Sequence, residues 1–114
     1  MQKKRNIVHA TINAIDGVKE LILQKAARRE ILLAVLAIGF FCYRPNVYTV
    51  LIAVLSLVLL AVEALNTAIE KICDLITLEE HPEIKKIKDL GAAAVFMIVL
   101  AIGLIFLRYL SPFF

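Results

Sequence analysis

The chain has 114 residues, of which 61% are hydrophobic and 20% are charged, and its formal net charge is +3. A soluble domain of this length needs more polar surface, and the mean hydropathy of +0.86 is also too high for one. The composition excludes intrinsic disorder, collagen, a coiled coil and a disulfide scaffold. It favours an all-α integral membrane protein with a single domain over residues 1–114.

The first part of the chain, residues 1–30, mixes charged and apolar residues at helical spacing. This pattern predicts an amphipathic helix over about residues 6–25 that lies on a membrane surface. An ordinary helix packed against protein is the alternative interpretation. The apolar face of the predicted helix consists of Val8, Thr11, Ile12, Ile15, Val18, Leu21 and Ile22.

Three uncharged runs follow, at residues 31–43, 45–62 and 90–107. Each of the last two is about 27 Å long as a helix, which is close to the thickness of a bilayer core. The first run reaches that length if its helix begins earlier and Arg28 and Arg29 extend to the headgroups. We therefore predict three transmembrane helices, over about residues 28–44, 47–73 and 84–108, after the surface helix.

Basic residues are concentrated before the first predicted span and between the second and the third. By the positive-inside rule, the N-terminus and the second loop are cytoplasmic. The modest net charge gives no reason to expect a nucleic-acid partner. Aromatic residues cluster at the predicted outer ends of the spans: Phe40, Phe41, Tyr43, Tyr48, Tyr109, Phe113 and Phe114.

The helix of the second predicted span, which we expect to continue to Thr77, carries four polar residues: Glu63, Asn66, Glu70 and Asp74. At about 100° per residue, all four fall within about 80° of one another on one helix face. A carboxylate at membrane depth is costly unless it faces protein, a cavity or a partner charge. Three acids in one stripe would repel each other without a cation, and Mg²⁺ is the natural candidate. The alternative is that Glu70 and Asp74 are solvated among the headgroups and pair with Lys71 or Lys88.

The third predicted helix places Lys88 and Asp89 level with the inner end of this stripe. Carboxylates for a metal together with a lysine for phosphate are the minimum requirement for phosphoryl transfer. The Gly-Ala-Ala-Ala segment at residues 91–94 lets another helix approach closely, with Ala61, Ala64 and Ala68 as the expected partners. These features alone leave open an enzyme, a small proton-coupled transporter and a structural assembly protein.

The chain resembles the prokaryotic integral-membrane diacylglycerol kinase family in two strings. The first is Val-Glu-Ala-Leu-Asn-Thr-Ala-Ile-Glu at residues 62–70, followed by Asp74. The second is Lys-Asp-Leu-Gly-Ala-Ala-Ala-Val at residues 88–95. The resemblance covers nearly the whole chain. It implies a homotrimer of three-span subunits that transfers the γ-phosphoryl group of ATP to a lipid hydroxyl with Mg²⁺, at active sites between subunits.

The resemblance also implies roles for individual residues. Glu63 is expected to be the general base, Asn66 to support catalysis and Glu70 to bind the metal. The expected nucleotide-binding residues are Asn13, Glu70, Asp74, Glu79, Glu80, His81, Lys88 and Asp89. The residues expected to contact the lipid substrate are Glu30, Thr49, Glu63 and Ala92.

One departure from the family pattern concerns the metal site. The family usually has a second metal-binding Glu shortly before the first span, and Gln24 occupies that position if Glu30 is matched to the family's later Glu. An alignment without a gap places Lys25 there instead, and Glu20 is the nearest substitute acid. The second metal ligand therefore remains open in the Gln24 region.

The connector at residues 76–84 resembles the Gram-negative branch of the family. This similarity favours diacylglycerol as the substrate and phosphatidic acid as the product, made at the cytoplasmic face of a bacterial inner membrane. Undecaprenol is the alternative substrate, because undecaprenol kinases share the fold and both strings. A small proton-coupled transporter is the remaining alternative function.

Overall fold

The computed structural model describes residues 6–111, which form four helices joined by short turns. The helices are α1 (Ile7–Ile22), α2 (Lys25–Tyr43), α3 (Val47–Ile76) and α4 (Pro82–Leu110). The all-α prediction is confirmed. The aromatic residues Phe113 and Phe114, predicted at the outer membrane boundary, lie outside the described residues.

The start of the α1 helix is set by a local signal in the sequence. The Asn6 side chain accepts a hydrogen bond from the backbone N–H of His9 at 2.8 Å, so Asn6 is the N-cap. The helix ends at Ile22, earlier than the predicted limit near residue 25, because Gln24 adopts an extended backbone conformation before α2 starts. The predicted apolar face is exposed in the described chain, as Ile12, Ile15 and Val18 show.

The turn between α2 and α3 is fixed by a capping box at residues 46–49. The Asn46 side chain accepts hydrogen bonds from the N–H groups of Tyr48 and Thr49, at 2.9 and 3.0 Å. In return, the Asn46 N–H donates to the Thr49 hydroxyl at 3.0 Å, and that hydroxyl donates to the Arg44 carbonyl at 2.8 Å. The Thr49 side chain is completely buried by these contacts.

We expect Thr49→Val to destabilise the fold by about 1–3 kcal/mol, because valine leaves the Asn46 N–H and the Arg44 carbonyl without this partner. Thermal unfolding of the purified protein in micelles measures the change. The matched control is Thr11→Val, since the exposed Thr11 hydroxyl donates only to the carbonyl of Ile7 in its own helix. Equal unfolding temperatures for the two variants would contradict a structural role for the Thr49 hydroxyl.

The connector between α3 and α4 ends at a second cap. The His81 Nδ1 accepts a hydrogen bond from the Glu83 N–H at 3.2 Å, and Pro82 occupies the first helical position, where its missing N–H costs nothing. Thr77 ends α3 in an extended conformation. The chain therefore reverses direction over a few residues and brings the start of α4 beside the end of α3.

The α3 helix is the centre of the fold and packs against both α2 and α4. Its buried face follows helical spacing and is built largely from small residues, which lets the neighbouring helices approach closely. The buried residues of this face are Thr49, Ile52, Ala53, Ser56, Leu59, Glu63 and Cys73. The partners on α2 are equally small, namely Ala27, Ala34 and Ala37.

The predicted outer end of the helices is held by aromatic contacts. The ring of Tyr109 makes edge-to-face contacts with Phe40 and Tyr48, at centroid distances of 5.6 and 6.2 Å. The guanidinium of Arg108 lies over the Tyr48 ring at 5.5 Å. These contacts join the end of α2, the start of α3 and the end of α4.

Two helices of the described chain, α3 and α4, are long and apolar enough to cross a membrane. Only 6% of the apolar window of α4 is buried within the chain, so most of its surface needs a lipid or protein partner. The α2 helix is not apolar enough by the same criterion, because its first turns carry four charged residues: Lys25, Arg28, Arg29 and Glu30. The membrane class therefore agrees with the prediction, whereas the third span remains a prediction.

Candidate active site

The predicted polar stripe lies on the face of α3 that continues its buried face. Glu63 is only 6% exposed and is the one buried charged residue of the described chain. Asn66 is half-buried, and Glu70 and Asp74 are exposed towards the end of the helix. The stripe thus runs from a buried carboxylate to solvent-accessible ones.

A cavity of about 280 Å³ opens beside this stripe, and we call it the inner cavity. The α3 helix contributes most of its lining, and the start of α2 closes one side. The lining residues are Gln24, Ala26, Glu63, Thr67, Glu70, Lys71 and Asp74. Gln24 lines the cavity, whereas Lys25, the residue favoured by the alternative alignment, does not. The second metal ligand stays a prediction.

Asn66 connects the stripe to α4. Its Nδ2 donates a hydrogen bond to Glu70 Oε1 at 3.1 Å, while its Oδ1 is buried and has no hydrogen-bond partner. That oxygen faces Gly91, where a side chain would collide with it. A close approach is therefore present at Gly91, and the side chain that it meets is that of Asn66. Of the expected partners, Ala61 and Ala68 are exposed.

The Asp74–Lys88 pair joins the ends of α3 and α4. Lys88 Nζ lies 3.0 Å from Asp74 Oδ1 and donates a hydrogen bond to it. Asp89 is held differently, by Lys85 one turn earlier on α4 at 2.7 Å. The Lys88 side chain thus points towards the stripe, and its pairing with the exposed Asp74 is the contact expected under the alternative interpretation of solvated acids. Asp89 pairs within its own helix.

A second depression, of about 670 Å³, lies along the connector and the first turns of α4, and we call it the connector cleft. Lys88 lines this cleft and Asp74 lines the inner cavity, so their ion pair stands between the two spaces. The volume falls in the range of ligand pockets. The predicted nucleotide residues that line it are Glu79, Glu80, His81, Lys88 and Asp89.

Five predicted site residues line neither space, namely Asn13, Glu30, Thr49, Asn66 and Ala92. Asn13 is exposed midway along α1, and Ala92 is exposed on α4 beside Gly91. Thr49 lies about 21 Å from Glu63 along α3, and its hydroxyl is occupied by the capping box. Neither the inner cavity nor the connector cleft includes them, so their substrate contacts remain predictions.

Glu30, the remaining predicted lipid contact, lies on the α2 face that also carries the buried residues Ala27 and Ala34. It is half-buried, and its Oε2 is buried without a hydrogen-bond partner. A buried carboxylate oxygen with no donor is costly, since ionised acceptors require partners. Glu30 is therefore suited to accept a hydrogen bond from a further group.

Residues 6–111 contain no cluster of three acidic, histidine or cysteine side chains that would enclose a metal ion. Mg²⁺, however, is usually held by one or two carboxylates together with water and substrate phosphates. The inner cavity supplies that smaller set, because the carboxylate of Glu70 lines it, as does Gln24 in the region of the open second ligand. The residues present therefore fit a magnesium ion that arrives with a nucleotide.

Thr67 and Lys71 line the inner cavity but were not predicted as site residues, and Lys71 was expected only as an alternative ion-pair partner. Both lie on α3 one and two turns after Glu63, at about 40° and 80° from it around the helix. The same angular calculation that selected Asp74 at about 20° could have found them. Lys71 also contacts α1, where its Nζ lies 3.6 Å from Glu20 Oε1.

Comparisons with known proteins agree with the resemblance in the two strings. The family model for prokaryotic diacylglycerol kinase matches residues 12–110. A Sinorhizobium protein named diacylglycerol kinase is 35% identical over 101 residues, which cover 87% of this chain and 74% of that protein. Proteins of the same name from Pseudomonas aeruginosa and Haemophilus influenzae are 32% and 29% identical, and the matches cover 82% and 88% of this chain and 78% and 87% of those proteins. The predicted family is confirmed by these matches.

Proposed function

Because this chain belongs to the prokaryotic diacylglycerol kinase family, we propose that it transfers the γ-phosphoryl group of ATP to the free hydroxyl of diacylglycerol. The products are phosphatidic acid and ADP. Family membership makes the protein a kinase of lipid metabolism associated with a membrane. The identity of the lipid, the donor and the membrane face belong to the proposal.

The observation that carries the proposal is the buried carboxylate of Glu63 beside the inner cavity. A lipid hydroxyl is reached from the membrane, whereas ATP is reached from water. The stripe on α3 spans both environments, since it begins at Glu63 and ends at the exposed Asp74–Lys88 pair. Such a site can hold an apolar acceptor and a charged donor in one place, which is the main requirement of phosphoryl transfer.

Each residue of the site has its own role in the transfer. Glu63 accepts the proton of the lipid hydroxyl while the hydroxyl oxygen forms its bond to the γ-phosphorus, and the bond from that phosphorus to the bridging oxygen of ADP breaks. Asn66 orients Glu70 through the hydrogen bond at 3.1 Å. Lys88 contributes positive charge near the phosphates from the connector cleft. Glu70 would hold Mg²⁺ together with ATP, and the ion would supply positive charge to offset that of the phosphates.

The membrane arrangement is also proposed. We place the N-terminus and the inner cavity on the cytoplasmic side of a bacterial inner membrane, where ATP is available. The α2 helix then serves as the first span, and the exposed apolar surface of α4 packs against lipid and against further copies in a homotrimer. Neighbouring copies would shield the stripe and complete the site.

Undecaprenol remains the alternative acceptor, and the experiment compares the two lipids directly. The purified full-length protein in mixed micelles is given MgATP and equal amounts of diacylglycerol and undecaprenol, and the phosphorylated lipids are separated. We expect phosphatidic acid to form faster than undecaprenyl phosphate. Preferential phosphorylation of undecaprenol would contradict the proposed substrate. Proton flux across vesicles without phosphorylation of either lipid would support the transporter instead.

A further inference from the structure

Lys71 is the one positively charged residue among those lining the inner cavity in the described chain. Three carboxylates line the same space, those of Glu63, Glu70 and Asp74. A polyphosphate approaching three carboxylates meets repulsion unless cations are close to it. A lysine at this position therefore alters what the cavity can bind.

The contact that holds Lys71 is weak compared with the one that holds Lys88. Lys71 Nζ lies 3.6 Å from Glu20 Oε1, with 53% and 65% of the two side chains exposed. Lys88 Nζ lies 3.0 Å from Asp74 and donates a hydrogen bond to it. Solvent-exposed ion pairs contribute about 0–1 kcal/mol, so the Lys71 ammonium can exchange partners at little cost.

The partner of Lys71 belongs to a different helix. Glu20 lies in the last turns of α1, whereas Lys71 lies on α3, so the pair ties the amphipathic helix to the helix that carries the stripe. A phosphate oxygen offers the ammonium the same kind of anionic acceptor as Glu20, with greater charge. Binding of a phosphate by Lys71 therefore competes with the contact between α1 and α3.

We propose that Lys71 binds a phosphate group of ATP at the inner cavity, and that Glu20 is the internal anion it leaves when the nucleotide arrives. This inference rests on the proposed function, since it assigns a further substrate-binding residue to the same site. Lys71 is then a nucleotide-binding residue in addition to the predicted ones. Glu20 acts through Lys71, as a positioning residue that weakens nucleotide binding in the free protein.

The test measures binding and turnover in the full-length protein. Equilibrium dialysis with radiolabelled ATP and Mg²⁺ gives Kd, and phosphorylation of diacylglycerol in mixed micelles gives KM for ATP and kcat. The variants are Lys71→Gln, Lys71→Arg and Glu20→Gln. The matched control is Lys86→Gln, because Lys86 also forms an exposed ion pair, at 3.5 Å to Glu83, but lines neither cavity.

We expect Lys71→Gln to raise Kd and KM for ATP about tenfold and to change kcat little, as for the loss of one charge-assisted contact. Lys71→Arg should restore most of the affinity, because it keeps the charge. Glu20→Gln should lower Kd, since the competing anion is gone, and Lys86→Gln should behave like the parent protein. A Kd for ATP that is the same in Lys71→Gln and Lys86→Gln would overturn the inference. Weaker ATP binding by Glu20→Gln would overturn the proposal that Glu20 competes with the nucleotide for Lys71.

The two readouts separate this inference from the function on which it rests. If the parent protein binds ATP in a Lys71-dependent manner but phosphorylates no diacylglycerol, the assignment of Lys71 stands and the proposed function fails. If the parent phosphorylates diacylglycerol and Lys71→Gln does so with unchanged KM, the function stands and the assignment fails. A parent protein that binds no ATP overturns both.

Discussion

Replacing Glu63 by Gln is expected to lower kcat for lipid phosphorylation by about 10²–10⁴-fold, which is the usual contribution of a general base. Glutamine keeps the shape of the side chain but does not accept a proton from the lipid hydroxyl. Glu63 is the buried carboxylate at the inner cavity, so it is the group placed to take that proton. The measurement is initial-rate phosphorylation of diacylglycerol in mixed micelles.

Unfolding of the same variant separates catalysis from structure. A buried charge is costly to desolvate, so replacing it with a neutral amide should leave the fold at least as stable. Glu83→Gln is the matched control, since Glu83 is an exposed acid on α4 that lines neither cavity. Full activity of Glu63→Gln would remove Glu63 as the base. Loss of activity that merely follows loss of folded protein would indicate a structural role.

Replacing Gly91 by Ala is expected to lower both stability and activity. The added methyl group would collide with the Oδ1 of Asn66, and it would lie 3.2 Å from the Asn66 Cγ. Overpacking of this kind costs about 1–3 kcal/mol. The displaced amide would no longer donate to Glu70, so we expect kcat to fall about tenfold or more if an interaction near 1.4 kcal/mol is lost.

Gly103→Ala is the control for this prediction, because it makes the same change in the same helix at a position where nothing lies within 4 Å of the added carbon. Alanine favours helix over glycine by about 1 kcal/mol, so Gly103→Ala should leave stability unchanged or raise it. The comparison uses thermal unfolding together with diacylglycerol phosphorylation. If the two variants match in both measurements, the contact between Gly91 and Asn66 does not position the stripe.

Helical periodicity was sufficient to predict much of this arrangement. The positions of Glu63, Asn66, Glu70 and Asp74 on one face depend only on an uninterrupted helix, and α3 is continuous from Val47 to Ile76. The pairing of Asp74 with Lys88 follows from a short connector that reverses the chain. Caps such as Asn46 and His81 also use local signals, which explains why the helix ends lie close to the predicted ones.

Contacts between helices were harder to predict, because periodicity gives the face of a helix but neither its rotation nor its depth against a neighbour. The Gly-Ala-Ala-Ala segment was expected to approach the alanines of α3, and within it Gly91 meets Asn66 instead. The contact of Lys71 with Glu20 depends on the path of α1 after its break at residues 23–24. No sequence pattern predicts this break, because Leu23 and Gln24 are not the residues that usually interrupt a helix, which are Gly and Pro.

Isotope labelling of ATP decides whether this chain phosphorylates diacylglycerol at the expense of ATP. The purified protein in mixed micelles receives diacylglycerol with MgATP labelled either at the γ- or at the α-phosphate. We predict that phosphatidic acid carries the γ-label only, in amounts equal to the ADP formed. ATP hydrolysis without label in the lipid, or no consumption of ATP by the folded protein, would contradict the account.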